Sequence, residues 1–385
     1  MALDLSDDFL ALYDSEEAAK LTSDAEAAKA RAEAKEDQKA LAAACYKLAY
    51  AKLLAGQPEE AMLKAQDVVD LAEICKLDVG RAAALCLMGR ICAAYGTGQD
   101  DADLGFDSLE DATRQFRKLK SRRGEAIALW SSALLESALG KAPAAVTAAN
   151  DCIAICKELQ ETQLHALALQ ALAKAHAASG DFRAASNASE RAANARRRMG
   201  EEREAASCMH EMAKYVLQGG DLDRALALCE EAMAASEGAK DTLAVGAVMD
   251  SKVKIHVEAE RLVEALEVAK AKVTYFHDCG DQKSEGRALL QVAAFMLEHD
   301  VAAPRQAQAL AEHAIGLLSK VGDQEGVTLG YRLHGSGKIS GMQQELDRVM
   351  ELHAPYMHVP RHLFIEPEHN KLVKQHFGHT LRDGF

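Results

Sequence analysis

The chain has 385 residues, 27% of them charged and 5% aromatic, and its 59 acids outweigh 45 bases to give a net charge of −14. That balance excludes general nucleic-acid binding, which needs a basic face to displace counterions from phosphates. No run approaches the roughly 18 apolar residues of a membrane span, and the opening Met-Ala-Leu-Asp-Leu-Ser-Asp-Asp lacks the basic start and apolar stretch of a secretory signal.

Abundant alanine, leucine, glutamate and lysine with only six prolines predict a nearly all-helical protein. Residues 1–39 come first, as an acidic cap: the first forty residues hold eleven acids against five bases. Within them Ser15-Glu-Glu-Ala-Ala echoes Pro58-Glu-Glu-Ala-Met, so 16–36 is expected to form a degenerate half-repeat closing an open stack end, with Phe9–Tyr13 folded back on it. From residue 40 to 352 a small or glycine turn recurs at Gly56, Gly98, Gly140, Gly180, Gly220, Glu260, Ala302 and Gly341, in steps of 42, 42, 40, 40, 40, 42 and 39. Self-similarity at this period marks a solenoid built from one repeated helix hairpin, here about eight times. The stretch Leu164–Gly200 typifies the unit: an apolar-periodic helix, the turn Gly180-Asp181, a second helix and a closing glycine. Asp181 is expected to cap the second helix, with Gly180 and Gly200 supplying left-handed ends; Gly238 is expected to close the next unit in the same way. The turn Gly98-Gln-Asp-Asp-Ala-Asp is longer and acidic, and irregularity is expected around Pro304.

Small residues five after the turn (Ala61, Ala145, Ala185, Ala225, Ala265, Ala307), with others about twelve before (Ala49, Ala133, Ala173, Ala213), let paired helices approach closely. This pattern resembles the tetratricopeptide repeat, in the long-repeat branch of kinesin light chains and LGN/Pins-type adaptors. The junctions Met199–Ala205, Cys279–Ala288 and Val321–Gly326 resemble that branch closely. The resemblance runs from about Ala40 to His353 and implies an all-α, right-handed α-solenoid that binds a peptide or helix of a protein partner in its concave groove. The sequence departs from the family where His176, Val216 and His256 replace an aromatic of the first helix, and in lacking the usual proline near the repeat end.

First helices are expected to line the concave face, where equivalent positions form columns. Lys174, Lys214 and Lys254 recur every forty residues at a position that commonly contacts ligand in this family, and three ammonium groups in file would favour an acidic peptide. The alternative is that three good helix formers simply solvate an inner face. One turn earlier the column reads Gln170, His210 and Asp250, so the groove is expected to be mixed in character. Tyr46, Tyr50 and Trp130, the sole tryptophan, are candidate apolar anchors, although Trp130 suits a core position equally.

Residues 353–385 form a separate tail with six of the fourteen histidines, His353, His358, His362, His369, His376 and His379. Their spacing matches no zinc finger and no His-Glu-x-x-His pair, so no metal and no cofactor is expected. The nine cysteines contain no Cys-x-x-Cys pair and are expected as small buried hydrophobes in a reducing, cytoplasmic setting. Gly335-Ser-Gly-Lys-Ile-Ser340 imitates a phosphate loop but lacks its leading glycine and its final Ser or Thr, and is expected to be a structural turn. No catalytic motif is present. The expected role is a protein-interaction scaffold or adaptor, with a structural subunit of a large assembly as the first alternative and a metal-binding or enzymatic use of the histidine tail as the second.

Overall fold

The computed structural model describes residues 6–11, 18–96 and 98–337. All regular structure among them is helical. The chain divides into two compact units at Arg261/Leu262.

The first unit comprises α1 (Ser6–Phe9), α2 (Ala18–Ala34), α3 (Gln38–Leu54), α4 (Pro58–Cys75), α5 (Asp78–Tyr95), α6 (Gln99–Lys118), α7 (Arg122–Ala138), α8 (Ala142–Leu159), α9 (Thr162–Ala178), α10 (Phe182–Met199), α11 (Glu202–Gln218), α12 (Leu222–Gly238) and α13 (Thr242–Glu258). Each helix from α2 onward packs on the next, as a stack of helix hairpins requires. The second unit contains α14 (Leu262–Cys279), α15 (Gln282–His299), α16 (Pro304–Lys320) and further helical backbone over 324–337, and α15 packs on both α14 and α16. The fold is an all-α helical-repeat solenoid.

Backbone dihedrals reveal a beat finer than the 40-residue repeat. Left-handed residues fall every twenty positions from Lys120 through Gly140, Gln160, Gly180, Gly200, Gly220, Lys240, Glu260 and Gly280 to Asp300. Each such residue follows a helix, and up to Gly280 the next helix begins two residues later, often under an aspartate. Asp181 accepts the Ala184 N–H at 2.9 Å, and Asp37, Asp221, Asp241 and Asp281 cap their helices in the same way. The beat breaks between Lys76 and Lys120. There Gly98 is extended (φ −136°) and serves as the N-cap of the 20-residue α6, so the stretch expected to be a long acidic turn is instead the first turn of a helix. Asp100 and Asp101 are stabilised there by the positive end of the helix dipole.

Other expectations also shift. Gly238 is the last residue of α12, and Lys240 takes the left-handed position. Near Ala302 the left-handed residue is Asp300, and Pro304 opens α16, where its missing N–H costs nothing. Gly335–Gly337 are helical rather than a turn; Lys338–Ser340, Gly341 and the histidine tail lie outside the described residues.

The small column is buried as expected: Ala61, Ala145, Ala185, Ala225 and Ala265 are all 0% exposed. Close approach is tightest at Gly124, where a Cβ would stand 2.2 Å from Cδ1 of the buried Phe116 ring. Seven cysteines are buried, but Cys75 is half-buried and Cys279 exposed.

Candidate interaction face on the first helices

In the first unit α5 packs directly on α3 and α7, α7 on α9, and α11 on α13, while α10 packs against both α9 and α11. Positions three, four and seven apart on these helices share one side. The forty-residue register therefore aligns two neighbouring columns. One reads Tyr50, Arg90, Trp130, Gln170, His210, Asp250, and the other Leu54, Ala94, Leu134, Lys174, Lys214, Lys254.

The second column changes character halfway, from three apolar residues to three lysines. Lys174 is exposed, and among the described residues it has no ion pair. Lys214 pairs with Glu211 on its own helix, and Lys254 stands 4.0 Å from Glu258. The three ammonium groups are therefore unequal, since two are partly neutralised by acids one turn away. A cavity of about 290 Å³ opens between α9 and α11, lined by Gln170, Lys174, Cys208, Glu211 and Tyr215 with Trp130 and Leu134 at one end. A second, of about 470 Å³, lies over α3, α5 and α7 and reaches Lys174.

The first column turns mostly inward. Gln170 donates from Nε2 to the Cys208 sulfur at 2.9 Å, and His210 Nε2 lies 2.7 Å from the Ser251 hydroxyl. Burial holds the His210 pKa below the ordinary value; the Lys214 charge acts in the same direction and Glu211 opposes it. Asp250 is exposed. Tyr46 and Tyr50 are 4% and 1% exposed, which leaves these candidate anchors little accessible ring surface, and Trp130, at 5%, takes the core position that was its alternative. Tyr46 meets Phe9 and Tyr50 edge to face, at centroid distances of 5.6 and 6.4 Å, because the first helices pack closely enough to enclose rings at this depth.

Sequence reading missed Arg90. Its guanidinium lies between two rings, with the central carbon 4.5 Å from the centroid of Tyr50 and 4.5 Å from that of Trp130. The available signal was the register itself, because Arg90 falls midway between two aromatics eighty residues apart. Phe9–Tyr13 was expected to fold back on the half-repeat 16–36, whereas α1, which ends at Phe9, packs on α3 and α5. Asp8 reaches Lys47 Nζ at 2.7 Å, and the 2%-exposed Phe9 ring sits where Gly80 has no side chain; a Cβ there would be 2.9 Å from Phe9 Cζ. Leu12 and Tyr13 are outside the described residues.

Among the described residues no cluster of three or more His, Cys, Asp or Glu could hold a metal, and no helix is long and apolar enough to cross a membrane. Burial pushes the Cys86 thiol up to about 12 and Cys229 to about 11, so both stay protonated and unreactive at neutral pH.

Comparison with solved structures decides the type of repeat. Yeast Tom70 aligns over 89% of this chain and 63% of its own length, at 15% identity and a TM-score of 0.56. A STAND-class signal-transduction ATPase with a tetratricopeptide repeat sensor, from Pyrococcus horikoshii, aligns over 76% of this chain and 44% of its own, at 12% identity and a TM-score of 0.53. This is a tetratricopeptide-type repeat fold. The chain spans less than two thirds of either protein, and at these identities the likeness is one of fold. No protein-family model matches the sequence, and no curated protein matches it either. The tetratricopeptide-type hairpin accounts for the buried alanine column and for the first helices sharing one face.

Proposed function

We propose that the protein is an interaction scaffold whose first-helix face, in the unit ending at Arg261, captures a peptide or helix of a protein partner with acidic character. The observation that carries this reading is the column Leu54, Ala94, Leu134, Lys174, Lys214, Lys254, three apolar positions followed by three cationic ones along a single face. A ligand that buries apolar side chains at one end and presents carboxylates at the other complements it, in the helix-in-groove or extended-peptide mode. The reading assigns no catalytic step and no cofactor. It places Lys174 ahead of Lys214 and Lys254, because only Lys174 is without an ion pair among the described residues.

Capture from source extract tests it. Lys174→Glu/Lys214→Glu/Lys254→Glu should recover at least one partner about tenfold less than wild type, and raising the salt should weaken the wild-type interaction. Equal recovery of every partner by both proteins sinks the groove reading. Retention that ignores salt would favour a structural subunit held by apolar contacts.

A further inference from the structure

Arg90 is held in a way that serves no ion pair among the described residues. Its guanidinium carbon is 4.5 Å from the centroids of both Tyr50 and Trp130, and the two rings are themselves almost fully buried, so cation–π contacts to two enclosed rings hold the group in place. Its N–H donors lie in the guanidinium plane, and Arg90 lines the cavity over α3, α5 and α7. Among the described residues no carboxylate pairs with Arg90. The second cation on the same cavity, Lys174, is likewise unpaired.

The cavity, about 470 Å³, has Leu54, Ala94 and Leu134 on its walls and not one Asp or Glu in its lining. In a chain with 59 acids and 45 bases, two cations without ion pairs among the described residues line one hollow, and its charge complements an anion. A second observation bears on what fills it. Lys47, Tyr50 and Leu54 lie on one side of α3, where Lys47 pairs with the chain's own Asp8 carboxylate, and the adjacent Phe9 ring packs on Tyr46 of α3 and over Gly80 of α5. An acid followed by a bulky apolar residue is thus a pair that α3 and α5 together are seen to hold.

We infer that Arg90 and Lys174 form a carboxylate site for an internal Asp or Glu of a partner peptide, with the flanking aliphatic side chains of that peptide packed on Leu54, Ala94 and Leu134. The site rests on the groove reading above but is separable from it. A face that captured partners through Lys214 and Lys254 alone would satisfy the extract experiment and fail the one below.

Trp130 is the chain's only tryptophan and covers one face of Arg90, so its fluorescence reports on the site directly. The full chain is titrated with acetyl-Leu-Glu-Leu-Leu-amide and with the same peptide carrying Gln for Glu. The Glu peptide should give a saturable change with a Kd below about 1 mM, and the Gln peptide should bind at least about tenfold more weakly. Arg90→Gln should abolish the response. Arg90→Lys should weaken it about tenfold, because a point charge keeps neither the planar fork nor the double stacking. Lys174→Gln, at an exposed position, should weaken it several-fold through loss of one of two charges. No saturable response to the Glu peptide, equal binding of the Gln peptide, or binding unchanged in both Lys174→Gln and Arg90→Gln would each overturn the site. An identical response to acetate alone would overturn the apolar half of the proposal.

Discussion

His210 shows how a single residue on the first-helix face is set by its neighbours. Its ring is partly buried, hydrogen-bonded to Ser251, and flanked by Lys214 and Glu211. Burial and Lys214 lower its pKa from the ordinary value near 6.5, so at pH 7 it is neutral and adds no charge to the lysine column. In the unfolded chain the same imidazole titrates near 6.5. As pH falls below about 6.5 the unfolded state takes the proton first, and folding stability is lost until the folded-state pKa is also passed. His210→Gln removes that linkage while leaving a polar partner for Ser251. Its melting temperature should fall less than that of wild type between pH 7 and pH 5, measured by circular dichroism, and equal falls would remove burial of His210 as the cause. Arg90 teaches the complementary lesson, since a permanently charged group is tolerated half-buried because two aromatic faces replace part of its hydration.

At the scale of the element, the twenty-residue beat rests on left-handed helix ends, and several of these are not glycine. Lys76, Lys120, Gln160, Lys240 and Glu260 hold φ between 55° and 58°, a conformation that costs a residue with a Cβ about 1–2 kcal/mol relative to glycine. Lys240 is exposed and follows α12. Lys240→Gly should therefore stabilise the protein by about 0.5–1 kcal/mol, despite the extra entropy of glycine in the unfolded chain. Thermal or urea unfolding reads this directly, and a loss of stability would mean that Lys240 makes a contribution its backbone does not reveal. The helix starts on the other side of these turns add a second device. Asp241 caps α13 through the Ala244 N–H and also accepts from Arg203 Nε at 2.5 Å, while Arg123 reaches Glu161 thirty-eight residues on, at 2.9 Å. These contacts tie the start of one first helix to the start of the next, thereby holding the register on which the columns depend.

For the whole molecule, contacts within the first unit run between helices close in sequence, as in other repeat stacks. Stability in such an array is a sum of neighbour interfaces, so interior helices are held from both sides and terminal ones from one. Amide hydrogen exchange should accordingly be slowest in α7 to α10 and at least about tenfold faster in α2. Uniform protection across the unit would instead mean that it opens only globally. Such a gradient leaves the cavity over α3, α5 and α7 bordering the more stable interior, which suits a site that must hold Arg90 fixed between two rings.

The period, the helices, the Asp caps and the alanine column are all legible in the sequence, because each depends on local backbone geometry or on the steric demand of a helix pair. The forty-residue register also fixed which residues stand in one column. It did not fix where their side chains end. Tyr46, Tyr50 and Trp130 have the same composition signal whether they line a groove or fill a core, and only the spacing of α3, α5 and α7 buried them. Likewise three identical lysines differ because Glu211 and Glu258 lie one turn from two of them, while among the described residues nothing acidic pairs with the third. The stacking of Arg90 needs three helices at once, so no window of sequence along a single helix contains it.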